Sequence, residues 1–178
     1  MRPCEFRHRQ HRIHHRPEPW SLATCDGVLL RRLEPRTPMP HARIRALAQL
    51  TAAGLDAGVL VAPIVPLLTD SREKLSALFE AARSAKATRV NGGVLRLGPT
   101  ARKRFFAQIA AEFPELLSRY ERHFARSSNA EPAYREALTR RLTKLQVEFG
   151  FPTGGRTRDI EPMYATDDAA SDEQMALI

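Results

Sequence analysis

The chain has 178 residues, 43% of them hydrophobic, which suits one globular core of ordinary size. Its 28 Lys+Arg against 20 Asp+Glu give a formal charge of +8, favouring solubility and anionic partners. The longest stretch free of charged residues, 57–69, contains two prolines and falls short of the roughly 20 apolar residues that cross a bilayer, so a membrane span is excluded. Two cysteines, Cys4 and Cys25, are too few for a disulfide framework and lack zinc-finger spacing.

Residues 1–19 form a head rich in Arg and His (Arg2, Arg7, Arg9, Arg12, Arg16; His8, His11, His14, His15) with little to bury, and the composition predicts disorder. No apolar stretch with a small-residue cleavage site follows it, so a secretory signal is not read and a cytoplasmic location is expected. The histidines are of metal-ligating type, but a tract without an ordered surrounding shell reads as a solvated tail. Residues 151–178 end in an acidic stretch without periodicity (Asp167, Asp168, Asp172, Glu173), read as a second disordered tail. The basic excess therefore lies in residues 21–155.

Between the tails the pattern alternates. Ser21–Thr24 reads as a strand end and Asp26–Leu33 as a helical turn. His41–Ala53 is an amphipathic helix with Ile44, Leu47 and Ala48 on one side and a left-handed stop at Gly54. Gly58–Val65 is a Val-rich apolar run typical of a strand buried on both faces, predicted to end near Ala62 because Pro63 cannot donate to a ladder. Asp70 with Glu73 has the spacing of a capping box before a helix to Arg83, with Leu75, Leu78, Phe79 and Ala82 on one face. Thr88–Leu97 reads as another strand, with a bulge or close backbone approach at Gly92-Gly93. Helices follow over 100–113, 115–124 and 132–149, the first two parted by Pro114. Alternating helix and strand predicts an α/β fold with a parallel sheet over 20–98, then a helical region over 99–150.

Several chemistries are disfavoured. Neither Gly92-Gly93 nor Gly154-Gly155 opens a helix with phosphate-loop or dinucleotide spacing, and no nucleophile elbow, HExxH helix or calcium loop is present. Basic runs at Arg102-Lys103-Arg104 and Arg140-Arg141 with Lys144 lie among Phe105, Phe106, Tyr120 and Tyr134. Such residues can hold phosphates and stack bases, which makes nucleic acid a candidate partner. The aromatics, however, have the helical spacing of a packed face beneath a solvated basic one.

In order along the chain, Ser21–Thr24, Arg32-Leu33-Glu34-Pro35, Ala53-Gly54-Leu55-Asp56-Ala57-Gly58, Val61-Ala62-Pro63-Ile64 and Gly93-Val94-Leu95-Arg96-Leu97 resemble the later part of a radical S-adenosylmethionine domain. The group most similar is that of spore photoproduct lyase and DNA repair photolyase-like enzymes. The resemblance implies the carboxyl-terminal portion of a partial (β/α) TIM-like barrel. It also implies that Ser21 and Thr24 lie near the nucleoside ribose of S-adenosylmethionine, with Ala62, Pro63, Ile64 and Arg96 on the adenine side. Arg96, between Leu95 and Leu97, points toward the barrel mouth or to solvent. The family's 4Fe-4S cluster rests on a CxxxCxxC motif that is absent here. The expectation is a truncated family member, inactive alone, whose cluster half is missing or supplied by a companion chain. A non-catalytic nucleic-acid-binding protein is the alternative.

Overall fold

The computed structural model describes residues 19–154 and 158–160. Four strands, β1 (Pro19–Ser21), β2 (Gly58–Ile64), β3 (Val90–Leu95) and β4 (Arg158–Ile160), form one sheet in the order β1-β2-β3-β4, every pair parallel. Parallel neighbours require crossovers, and helices provide them. Between β1 and β2 lie α1 (Gly27–Leu33) and α2 (Pro40–Ala52); α3 (Arg72–Ser84) joins β2 to β3. The longer third connection holds α4 (Pro99–Glu112), a 3₁₀ turn (Pro114–Leu116), α5 (Leu117–His123) and α6 (Pro132–Glu148). The α/β class read from the sequence stands.

The two faces of the sheet differ. Register pairs Val59 with Val90 and Val61 with Gly92, and this face meets α3 and α6. The two helices bring Leu75, Leu78, Phe79, Leu138, Leu142 and Leu145, all buried. α2 packs on α3 and α3 on α6, so the three crossover helices share that side. The close approach expected at the glycine pair occurs at Gly92, where a Cβ would sit 2.4 Å from Leu142 Cδ1. On the other face Ser21, Leu60 and Asn91 are half-buried. Toward the carboxyl ends, Pro63, Val65 and Leu95 meet Leu33, Phe105 and Ile109 from α1 and α4.

Four features differ from expectation. β2 does not stop at Ala62 but runs to Ile64 through the cis Ala62–Pro63 bond. The bulge lies in β2, not β3: from Val61↔Gly92 to Ile64↔Val94, β2 advances three residues while β3 advances two. Pro63 is tolerated because a bulged residue need not donate to the ladder. The cap of α3 is Ser71, whose Oγ accepts from Lys74 N at 3.3 Å, rather than Asp70. Finally, β4 pairs with β3 inside the stretch read as an acidic tail, its order supplied by a partner strand rather than by its own pattern. Residues 1–18, including the His-rich tract and Cys4, lie outside the described residues. Among the described residues no helix is long and apolar enough to cross a membrane.

Candidate functional site

Ligands in parallel α/β sheets gather at the carboxyl ends of strands, and the six residues singled out by resemblance share that end. Their environments are unequal. Ser21 closes β1, its carbonyl accepting from Arg43 Nη1 at 2.6 Å. Thr24 is 1% exposed, and its Oγ1 accepts from Asp26 N at 3.1 Å in the turn that enters α1. Ala62 is buried, and Ile64, fully buried, lies under the helices beside the Gly92 position. Pro63 is half-buried on the opposite face. Arg96 is exposed, and its backbone bridges to Asn129.

Directly over Pro63 the described residues leave little open space. Leu33, Phe105 and Ile109 fill the space over Pro63, Val65 and Leu95, leaving about 10 Å³, whereas small-molecule sites span roughly 300–1,000 Å³. The closure is braced: Gln108 Nε2 donates to the Leu33 carbonyl at 3.0 Å, and Arg32 pairs with Glu112 at 2.9 Å while covering the Phe113 ring. The Glu34-Pro35 turn is itself structural. Glu34 Oε2 accepts from Thr37 Oγ1 at 2.9 Å and the Pro35 carbonyl accepts from Arg31 at 2.6 Å. The residues do not fit a 4Fe-4S cluster, which needs three thiolates. Among the described residues the sole thiol is Cys25, whose burial pushes its pKa up, and no cluster of three metal-ligating side chains occurs.

The basic runs marked in the sequence are largely engaged in structure. Arg102 donates to the Phe124 carbonyl at 2.6 Å and lies over Phe106; Arg141 donates to the Asp70 carbonyl at 2.5 Å; Arg140 pairs with Glu136 at 3.8 Å. Their aromatic neighbours are packed: Phe105 and Tyr120 are buried edge-to-face at 5.1 Å.

An open concavity instead borders the loop after β2. That loop is fixed from several sides. Thr69 Oγ1 accepts from Val65 N at 2.8 Å, Lys74 Nζ donates to the Leu68 carbonyl at 2.6 Å, and the Tyr120 hydroxyl donates to the Pro66 carbonyl. Leu67, with φ +67° and 40% exposed, forms its tip. Against the loop sits a hollow of about 300 Å³ walled by Pro66, Leu67, Arg119, Arg122, His123, Glu131 and Tyr134. A neighbouring groove of about 760 Å³ shares Arg122, His123 and Glu131 and extends along Arg126, Ser127, Asn129 and Arg135.

His123 stands where the two meet, edge-on to Phe124 at 5.3 Å and to Tyr134 at 5.0 Å. Burial holds its pKa below the ordinary 6.5, opposed in part by Glu131 and Asp70, so the ring is neutral at pH 7. Its Nε2 and Asn129 Oδ1 are buried without a hydrogen-bond partner. The sequence reading passed over this site. The signal that would have found it is the 119, 122, 126 spacing of arginines, which places them on one side of a helix and its following turn.

No family model and no solved structure matches the chain. Uncharacterized proteins of Mycobacterium tuberculosis and Mycobacterium bovis are each 40% identical to it over 129 residues, covering 72% of this chain and 38% of theirs. The chain thus spans well under half the length of the curated relatives it matches.

Proposed function

We propose that the chain is the later arc of a radical S-adenosylmethionine barrel of the spore photoproduct lyase and DNA repair photolyase-like type, shaping the barrel rather than generating the radical. The observation that carries this reading is the sequential, all-parallel order β1-β2-β3-β4 with α2, α3 and α6 together on one side. A doubly wound sheet reverses its order and covers both faces with crossover helices. Right-handed crossovers in unbroken sequence instead leave every helix outside and curl the sheet toward closure. The residues that carry the resemblance stand at element ends, Glu34-Pro35 after α1, Gly54 at the stop of α2 and Ala62-Pro63 near the end of β2, which supports the reading.

In that family a 4Fe-4S cluster supplies the electron that splits the sulfonium of S-adenosylmethionine. This sequence holds no three-cysteine motif, so no such step is assigned to it. In this reading the residues over Pro63 close the carboxyl-end face, and the remaining strands come from another polypeptide segment. The greater length of the mycobacterial relatives supports that division.

The test is anaerobic reconstitution with iron and sulfide of two proteins: this chain, and the M. tuberculosis relative with its matched 129 residues replaced by this chain. The chain alone should stay colourless and yield no 5′-deoxyadenosine from S-adenosylmethionine and reductant, while the chimera should turn brown and yield it. A cluster on the chain alone, or a folded chimera without one, would overturn the reading.

A further inference from the structure

The unexplained feature of the surface is the groove between α5 and α6. Several arginines elsewhere are matched: Arg32 with Glu112, Arg72 with Glu148, Arg83 with Glu80, Arg89 with Asp56. Arg119, Arg122 and Arg126 are exposed and have no ion pair among the described residues, yet all line the two adjoining hollows. Arg135 adds a fourth guanidinium to their wall, and Glu131 is the one carboxylate there among the described residues. With His123 neutral, Arg119, Arg122 and Arg126 against Glu131 leave a net charge of +2. Folding brings α5 and α6 together, and so gathers this charge at a self-repulsive cost.

We propose that this groove is a binding site for a phosphate ester, held through its phosphoryl oxygens by Arg119, Arg122 and Arg126. Guanidinium groups bind phosphate through paired, charge-assisted hydrogen bonds, and a dianion can serve several at once. A carboxylate would leave half of that charge uncompensated. The volume suits a nucleotide-sized ligand, and Glu131 with Ser127 on the rim offers polar groups for its hydroxyls. The arginines at 119, 122 and 126 extend over seven residues, about 10 Å at helical rise, long enough to follow more than one phosphate of a single strand. The site does not depend on the barrel reading, since it is built from α5, α6 and one loop.

Calorimetric titration in low salt, with inorganic phosphate, AMP and a single-stranded oligonucleotide as probes, tests it. Arg122→Ala removes the guanidinium common to both hollows, while Arg45→Ala removes an exposed charge on α2 that has no ion pair among the described residues. Arg122→Ala should weaken binding about tenfold, as expected for a charge-assisted contact, and Arg45→Ala should leave it unchanged. Binding of AMP no weaker than the oligonucleotide identifies a free nucleotide. Tighter oligonucleotide binding with a steep salt slope, reduced by about 0.7 in Arg122→Ala, identifies a strand. Either supports the site. Failure of all three probes to bind, or equal weakening by both substitutions, would overturn it.

Discussion

The Tyr134 hydroxyl donates a 2.8 Å hydrogen bond to Asp70 Oδ2, fastening α6 to the loop that follows β2. Burial, reinforced by the Asp70 charge, raises the phenol far above its ordinary range, so it stays a donor at physiological pH. Tyr134→Phe leaves the half-buried carboxylate without this partner. A bond to a charged group at a partly buried site supports a loss of about 1–2 kcal/mol. Urea denaturation should show that loss, and an unchanged midpoint would mean that Arg141, bonded to the Asp70 carbonyl, secures the loop alone.

A side chain at Gly92 should come at a cost in stability. The clash that an added Cβ would make with Leu142 Cδ1 concerns space alone, since the φ of Gly92 is not in the left-handed region. Gly92→Ala should destabilise by about 1–3 kcal/mol through overpacking. In a Leu142→Ala background the added methyl should cost far less or even stabilise, because it enters the space that leucine vacated. Additive losses in the double variant would refute this explanation.

The elements most legible in the sequence are those whose periodicity reports burial directly. Leu75, Leu78 and Phe79 of α3 and Leu138, Leu142 and Leu145 of α6 lie in the core as their spacing requires. Ile64 shows where alternation misleads. One extra residue between Val61 and Ile64 shifts the phase of β2, so Ile64 pairs with Val94 and points under the helices. A residue that unbroken alternation would turn toward the ligand face is therefore core. The three residues of β4 carry too little pattern to be read alone. The arginine groove was hidden for another reason: composition counts charges, whereas a site depends on which charges folding leaves unmatched.

The start of α3 separates two adjacent candidates for a cap. Ser71 Oγ accepts from Lys74 N, while the Asp70 carboxylate is turned to Tyr134. Ser71→Ala should therefore cost about 0.5–2 kcal/mol, the usual range for a lost cap, and Ser71→Asp should restore most of it. If Ser71→Ala is neutral in urea denaturation, the helix start is held by something other than this bond.

His123 gives stability a definite pH dependence. In the unfolded chain its imidazole takes up a proton near 6.5, but in the fold burial among Phe124 and Tyr134 disfavours the charged ring, with Glu131 and Asp70 only partly offsetting this. Below 6.5 the unfolded state therefore binds more protons than the native state, and stability falls with pH until the folded histidine also titrates. Unfolding free energies measured in urea from about pH 7.5 to 5 should decline for the native sequence and decline less steeply for His123→Gln. Parallel curves for the two proteins would remove His123 as the cause.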